Sequence, residues 1–136
     1  MLSLAWAKQL KSAGLRWRPQ EHDFFAVPER DMDERVFVIS DMSVLVEVLQ
    51  GWPAITFNGS VEWALDYVLE AEAVWMPRDD QLLIALGQAF VGLARQGDQF
   101  VCMTQWGNER HQIAAATPGD AYAQALLAIL GHEHND

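Results

Sequence analysis

The dipeptide Gly107-Asn108, set between two runs of alternating apolar and polar residues, constrains this chain more than any other feature. A two-residue loop of this kind joins antiparallel strands, with glycine supplying the positive φ that a primed turn needs. Loop length fixes register. It sets Trp106 opposite Glu109, Thr104 opposite His111, Cys102 opposite Ile113 and Phe100 opposite Ala115. Side chains alternate across a strand, so these eight share one face, while Val101, Met103, Gln112 and Ala114 share the other. Phe100, Cys102 and Ile113 mark the first face as the core face. Thr117-Pro118-Gly119-Asp120 then reads as a helix start, with Thr as N-cap, Pro at the first helical position and Asp at the third. Tyr122, Leu126, Ile129 and Leu130 form the buried stripe of that helix, and Gly131 is expected to end it.

Upstream, residues 3–13 read as a short helix capped by Ser3 and ended by Gly14. Leu2, Trp6, Leu10 and Ala13 lie on one side, with Lys8 and Lys11 opposite. Residues 23–27 predict a strand, 28–34 a charged loop, and 35–40 a second strand antiparallel to the first. Residues 44–49 are apolar nearly all round; capping by Asp41 or Ser43 favours a helix, although the valines also suit a strand. Trp52-Pro53 breaks that segment, 54–57 is a short strand, Asn58-Gly59 a turn, and Ser60 caps a helix over 61–71. Residues 73–76 suit an edge strand. Pro77 and the pair Asp79-Asp80 open the longest expected helix, running to about Gln96 with Gly87 and Gly92 inside it.

With 136 residues and no linker to divide them, the expectation is a single domain, 1–136, of α+β class: a small, mostly antiparallel sheet covered by helices. A hydrophobic content of 51% excludes wholesale disorder. The net charge of −10 argues against nucleic acid as a direct partner, because phosphate binding needs a basic surface. Residues 1–18 carry Lys8, Lys11, Arg16 and Arg18 and no acid; residues 21–80 carry fourteen acids against Arg30, Arg35 and Arg78. One cysteine, Cys102, forbids an internal disulfide and fits a reducing cytoplasm. The longest near-apolar run, 82–94, is shorter than the roughly 18 residues needed to span a bilayer.

The most informative surface is the helix expected over 61–71. At about 100° per residue, Glu62, Asp66 and Glu70 fall on one ribbon, bordered by Trp63 and Tyr67. No Lys or Arg stands four residues away to relieve the repulsion. Such a ribbon can dock a basic partner; the bland alternative is a solvated face. The loop acids Glu29, Asp31, Asp33 and Glu34 lack the glycine and late glutamate of a calcium loop, and Arg30 and Arg35 supply counter-charge. His132, Glu133, His134 and Asp136 lack zinc-site spacing and read as a mobile polar tail. His111 reads as a hydrogen-bonded sheet residue, His22-Asp23 as neighbours in sequence only, and Cys102 as a buried thiol. The chain has no phosphate-binding loop, no nucleophile elbow, no dinucleotide fingerprint and no H-E-x-x-H. Six tryptophans suit an interface, and two or three are expected to be partly exposed.

Residues 4–83 resemble a group of small bacterial proteins through LAWAKQLKSAGLRWRP, HDFFAVPERDMDERVFVISDM and ITFNGSVEWALDYVLEAEAVWMP. Some of that group carry the label pilus assembly protein CpaE. Members of the pilus-assembly family proper resemble ParA/MinD-type ATPases, whose phosphate-binding loop this chain lacks. The resemblance therefore implies a group and a cytosolic bacterial setting, and carries over no catalytic residue. The closing hairpin and helix are similar in shape to the β-β-α half of HicB-like antitoxins and of double-stranded-RNA-binding domains. The expectation is a cytoplasmic, non-enzymatic protein-interaction module, without cofactor or metal, using Glu62, Asp66, Glu70, Trp63 and Tyr67. Its partner is expected to be a protein, not nucleic acid, with no membrane span and a homo-oligomer left open. An antitoxin or immunity-type inhibitor is one alternative, and a ligand-binding protein or enzyme with a site assembled from distant residues is another.

Overall fold

The computed structural model describes residues 1–28, 32–39, 44–49, 52–57, 67–69 and 72–134. The fold is α+β, and the chain divides into two compact units. One is Met1–Arg16 together with Pro77–Asp136; the other is the continuous stretch Trp17–Met76 between them.

The first unit opens with α1 (Leu4–Ser12), which buries Ala7 and Leu10 and leaves Lys8 and Lys11 exposed. Gln81 starts α2 (Asp79–Leu86), its side-chain oxygen accepting the Arg78 N–H at 2.9 Å. Here the expected long helix fails. It stops at Gly87, whose φ of 57° and ψ of −133° suit glycine alone, and a 3-10 turn (Gly87–Ala89) leads into β7 (Phe90–Gln96). Residues 90–96 pair with β8 (Gln99–Trp106), which pairs in turn with β9 (Glu109–Ala115). The observed β8–β9 register, from Phe100↔Ala115 through Cys102↔Ile113 to Trp106↔Glu109, is the one expected. Gly107 and Asn108 both have positive φ, 61° and 63°, as a type I′ turn requires.

The last helix, α3 (Pro118–His134), packs against α1, α2, β8 and β9. Thr117 caps it as expected, its Oγ1 accepting the Asp120 N–H at 3.2 Å. Asp120 Oδ1 accepts the Ser3 N–H at 2.7 Å, tying α3 to the start of α1 across 117 positions of sequence. Gly131 does not end the helix, which continues to His134. No left-handed residue stops it there, because Gly131 is not among the positive-φ glycines. Cys102 and Thr104 lie under α3, fully buried, and the Phe90 ring meets Tyr122 edge-on at 5.8 Å.

The second unit holds two three-stranded antiparallel sheets among its described residues. In the first, β1 (Phe24–Val27) lies between β2 (Met32–Val38) and β6 (Val74–Met76). The strand expected to begin at 35 thus begins at 32, and the register shifts between Ala26 and Val27, passing over residues 33–35. Its core is Phe25, Val27, Ile39 and Ala73, with Trp17 and Phe37 packed against it. The Phe25 ring stacks on Phe37 at 5.5 Å and meets Trp17 at 5.7 Å. The second sheet is β3 (Val44–Leu49), β4 (Trp52–Phe57) and β5 (Tyr67–Leu69). It corrects three expectations. Residues 44–49 are a strand, not a helix; Trp52-Pro53 lies inside a strand, with Pro53 opposite Val48; and 67–69, expected within a helix, pair with β4. The proposed caps Asp41, Ser43 and Ser60 and the Asn58-Gly59 turn lie outside the described residues.

Candidate functional site

Three places bring chemistry-bearing side chains together or set them apart, and they differ in what they can do. Glu62, Trp63, Asp66 and Glu70 lie outside the described residues, and Tyr67 stands on β5, so the helix expected over 61–71 does not hold at Tyr67. Charge is nonetheless segregated. Trp17–Met76 holds twelve Asp and Glu against three Arg, a net of −9, while the other unit, with seven acids and six bases, is near neutral at −1. Nine of the fourteen aromatic residues lie in the same acidic stretch, so it combines long-range charge with the residue types that anchor interfaces.

The second place is the hairpin tip. Trp106 stacks on His111 with ring centroids 3.9 Å apart and planes 12° from parallel. Cross-strand neighbours on one face explain this pair. His111 Nε2 lies 3.3 Å from the Trp106 carbonyl, an acceptor for a proton on that nitrogen. His132 meets the same indole at 4.9 Å, and its ring lies where a Cβ on Gly107 would be 3.7 Å from Nε2. Because α3 passes Gly131, His132 is a wall of this cluster and not part of a mobile tail. The indole Nε1 is buried with no hydrogen-bond partner among the described residues. Sequence reasoning missed the cluster; the one available signal was that Trp106 and His111 share a face. Trp6, Trp17, Trp75 and Trp106 are each half-buried, and Trp52 and Trp63 fall where side chains are not described.

The third place is internal. Burial pushes the Cys102 thiol above its usual value, so it is not a poised nucleophile. Burial also raises the Tyr122 hydroxyl, and the charges of Asp79 and Cys102 add to the shift. Asp79 Oδ1 is buried without a hydrogen-bond partner among the described residues and faces the first turn of α3, where a Cβ on Gly119 would come within 2.8 Å of it. The negative charge there favours the positive end of the helix dipole.

The remaining sequence candidates separate. Asp23 is buried, and its Oδ2 accepts both the Trp17 indole N–H at 2.9 Å and the Gln20 N–H at 3.0 Å. His22 is exposed and lies 3.6 Å from Glu21. Of the loop acids, Asp33 and Glu34 belong to β2, while Glu29 and Asp31, like Asp136, lie outside the described residues. Among the described residues, no group of three or more His, Cys, Asp or Glu is arranged to hold a metal ion, and no helix is long and apolar enough to cross a membrane. Comparison with protein families, with curated proteins and with solved structures finds no match.

Proposed function

We propose that this chain is a non-enzymatic protein-interaction module whose Trp17–Met76 unit engages a basic protein. The observation that carries the reading is the segregation of charge: −9 of the net −10 lies in one unit, together with most of the aromatic residues. A field of one sign steers an oppositely charged partner and repels nucleic acid and anionic lipid. Glu62, Asp66 and Glu70 supply three of those charges, and Trp63 and Tyr67 two of the aromatics.

The test compares two charge reversals of equal size. Glu62→Lys, Asp66→Lys and Glu70→Lys together should weaken binding of a lysine–serine peptide at least about tenfold at about 0.1 M salt, where charges act within a Debye length of roughly 10 Å. Asp98→Lys, Glu109→Lys and Glu133→Lys, all exposed in the other unit, should weaken it much less. Equal effects, or no binding by the unaltered protein, would sink the reading.

A further inference from the structure

We infer that the outer strand β2 is the docking strip of the acidic unit, and that it takes an extended segment in which apolar and cationic residues alternate. The inference rests on the reading of that unit as the acceptor of a basic protein and says where on it the partner lies.

The cross-strand register puts Val38, Phe24 and Met76 in one row and Val36, Ala26 and Val74 in the next. These six side chains share one face of the sheet. Ala26, Val74 and Met76 are buried and Phe24 is half-buried, whereas Val36 and Val38 are 45% and 40% exposed. An apolar face that is covered over two strands and bare on the third is not a solvated face. Polar residues normally occupy such positions on an edge strand. Among the described residues β2 is a margin of its sheet, so nothing described flanks it on the outer side.

Val36 and Val38 stand two residues apart, roughly 6.6 Å along the strand. A partner matching them must also present apolar side chains at every second position, which an extended chain does and a helix does not. The residues between then point away from the valines. Charge decides what those are. A second copy of this chain would bring another −9 unit against the first, and an acidic segment would be repelled in the same way. Cationic residues turn the same field into attraction. The register shift at 33–35 keeps the regular part of the strip short, so recognition rests on the two valines and the surrounding field.

The test uses the full chain and three blocked peptides of equal length: alternating lysine and valine, alternating lysine and serine, and alternating glutamate and valine. Binding is read by fluorescence anisotropy, and the oligomeric state of the protein by sedimentation. The lysine–valine peptide should bind about tenfold tighter than the lysine–serine peptide, the gain from burying two valines. The glutamate–valine peptide should not bind. The variant V36T/V38T keeps β-branched side chains suited to a strand and should lose the tenfold preference while still binding the lysine–serine peptide. If both lysine peptides bind equally, or the variant keeps the preference, the strip is overturned and the acidic-unit reading stands. If neither lysine peptide binds, that reading falls as well. A dimer that V36T/V38T dissociates would make a second copy the occupant and would also overturn the inference.

Discussion

At the scale of single residues, Gly119 and Gly87 are glycines for different reasons, and the difference is measurable. A Cβ on Gly119 would come within 2.7 Å of the Leu2 nitrogen and 2.9 Å of the Met1 carbonyl carbon. Both are backbone and cannot turn aside, so Gly119→Ala should cost about 1–3 kcal/mol in urea unfolding. Gly87 has open space around it, yet its backbone angles exclude a side chain, and Gly87→Ala should cost a similar ~1–3 kcal/mol through conformation alone. A loss under about 0.5 kcal/mol, typical of ordinary surface changes, would contradict either account. Cys102 gives a pH signature. Its folded-state value lies above the ordinary 9.0, so above that pH the unfolded chain releases a proton that the folded chain keeps. The unfolded state then binds fewer protons, and stability, fully present at neutral pH, falls as pH rises. Tyr122 adds a second decline above its ordinary 10.0. Urea unfolding between these values should lose its pH slope in Cys102→Ala; an unchanged slope would assign the decline to other groups.

At the scale of elements, the hairpin was legible because two residues, Gly107 and Asn108, set the whole register, and no competing period exists in 100–115. Thr117 and Pro118 located the start of α3 for the same local reason. Residues 44–49 and 79–96 were not legible. VLVEVL is apolar nearly all round, with Glu47 alone charged, so no periodicity separates strand from helix, and pairing with β4 decides it. In 79–96 the apolar residues fit a helical stripe throughout, but Gly87 ends α2, and β8 supplies hydrogen-bonding partners to the remainder. Of the acidic candidate site only Tyr67 is described, and 67–69, expected within a helix over 61–71, is strand because it pairs with β4. The hairpin-tip cluster was hidden by the expectation that Gly131 ends α3. Once the helix continues, His132 closes against Trp106. His132→Ala should therefore lower stability by about 0.5–1.5 kcal/mol, the usual worth of an aromatic pair. It should also alter the near-ultraviolet dichroism of Trp106, identified by comparison with Trp106→Phe. A spectrum that does not move would separate His132 from the indole.

At the scale of the whole molecule, the uneven charge has a thermodynamic side. Like charges gathered in Trp17–Met76 oppose its own compaction, and salt screens them. Raising salt from about 10 mM to about 300 mM should slow amide exchange in β1 roughly threefold or more while changing β8 much less. Equal slowing in both strands would mean that the charge division has no energetic consequence. The other unit has a different property. Its helices α1 and α3 come from opposite ends of the described chain and are joined by the Ser3–Asp120 hydrogen bond. During synthesis at roughly 5–20 residues per second, Ser3 is made some 6–23 seconds before Asp120. Until then Leu2, Ala7 and Leu10 lack the helix that later packs on α1, whereas Trp17–Met76 is complete in sequence before any of α3 has been made. The order of maturation at α1 is thus the reverse of the order of translation: α1 is made before Trp17–Met76 and meets its packing partner α3 only after that unit has been made.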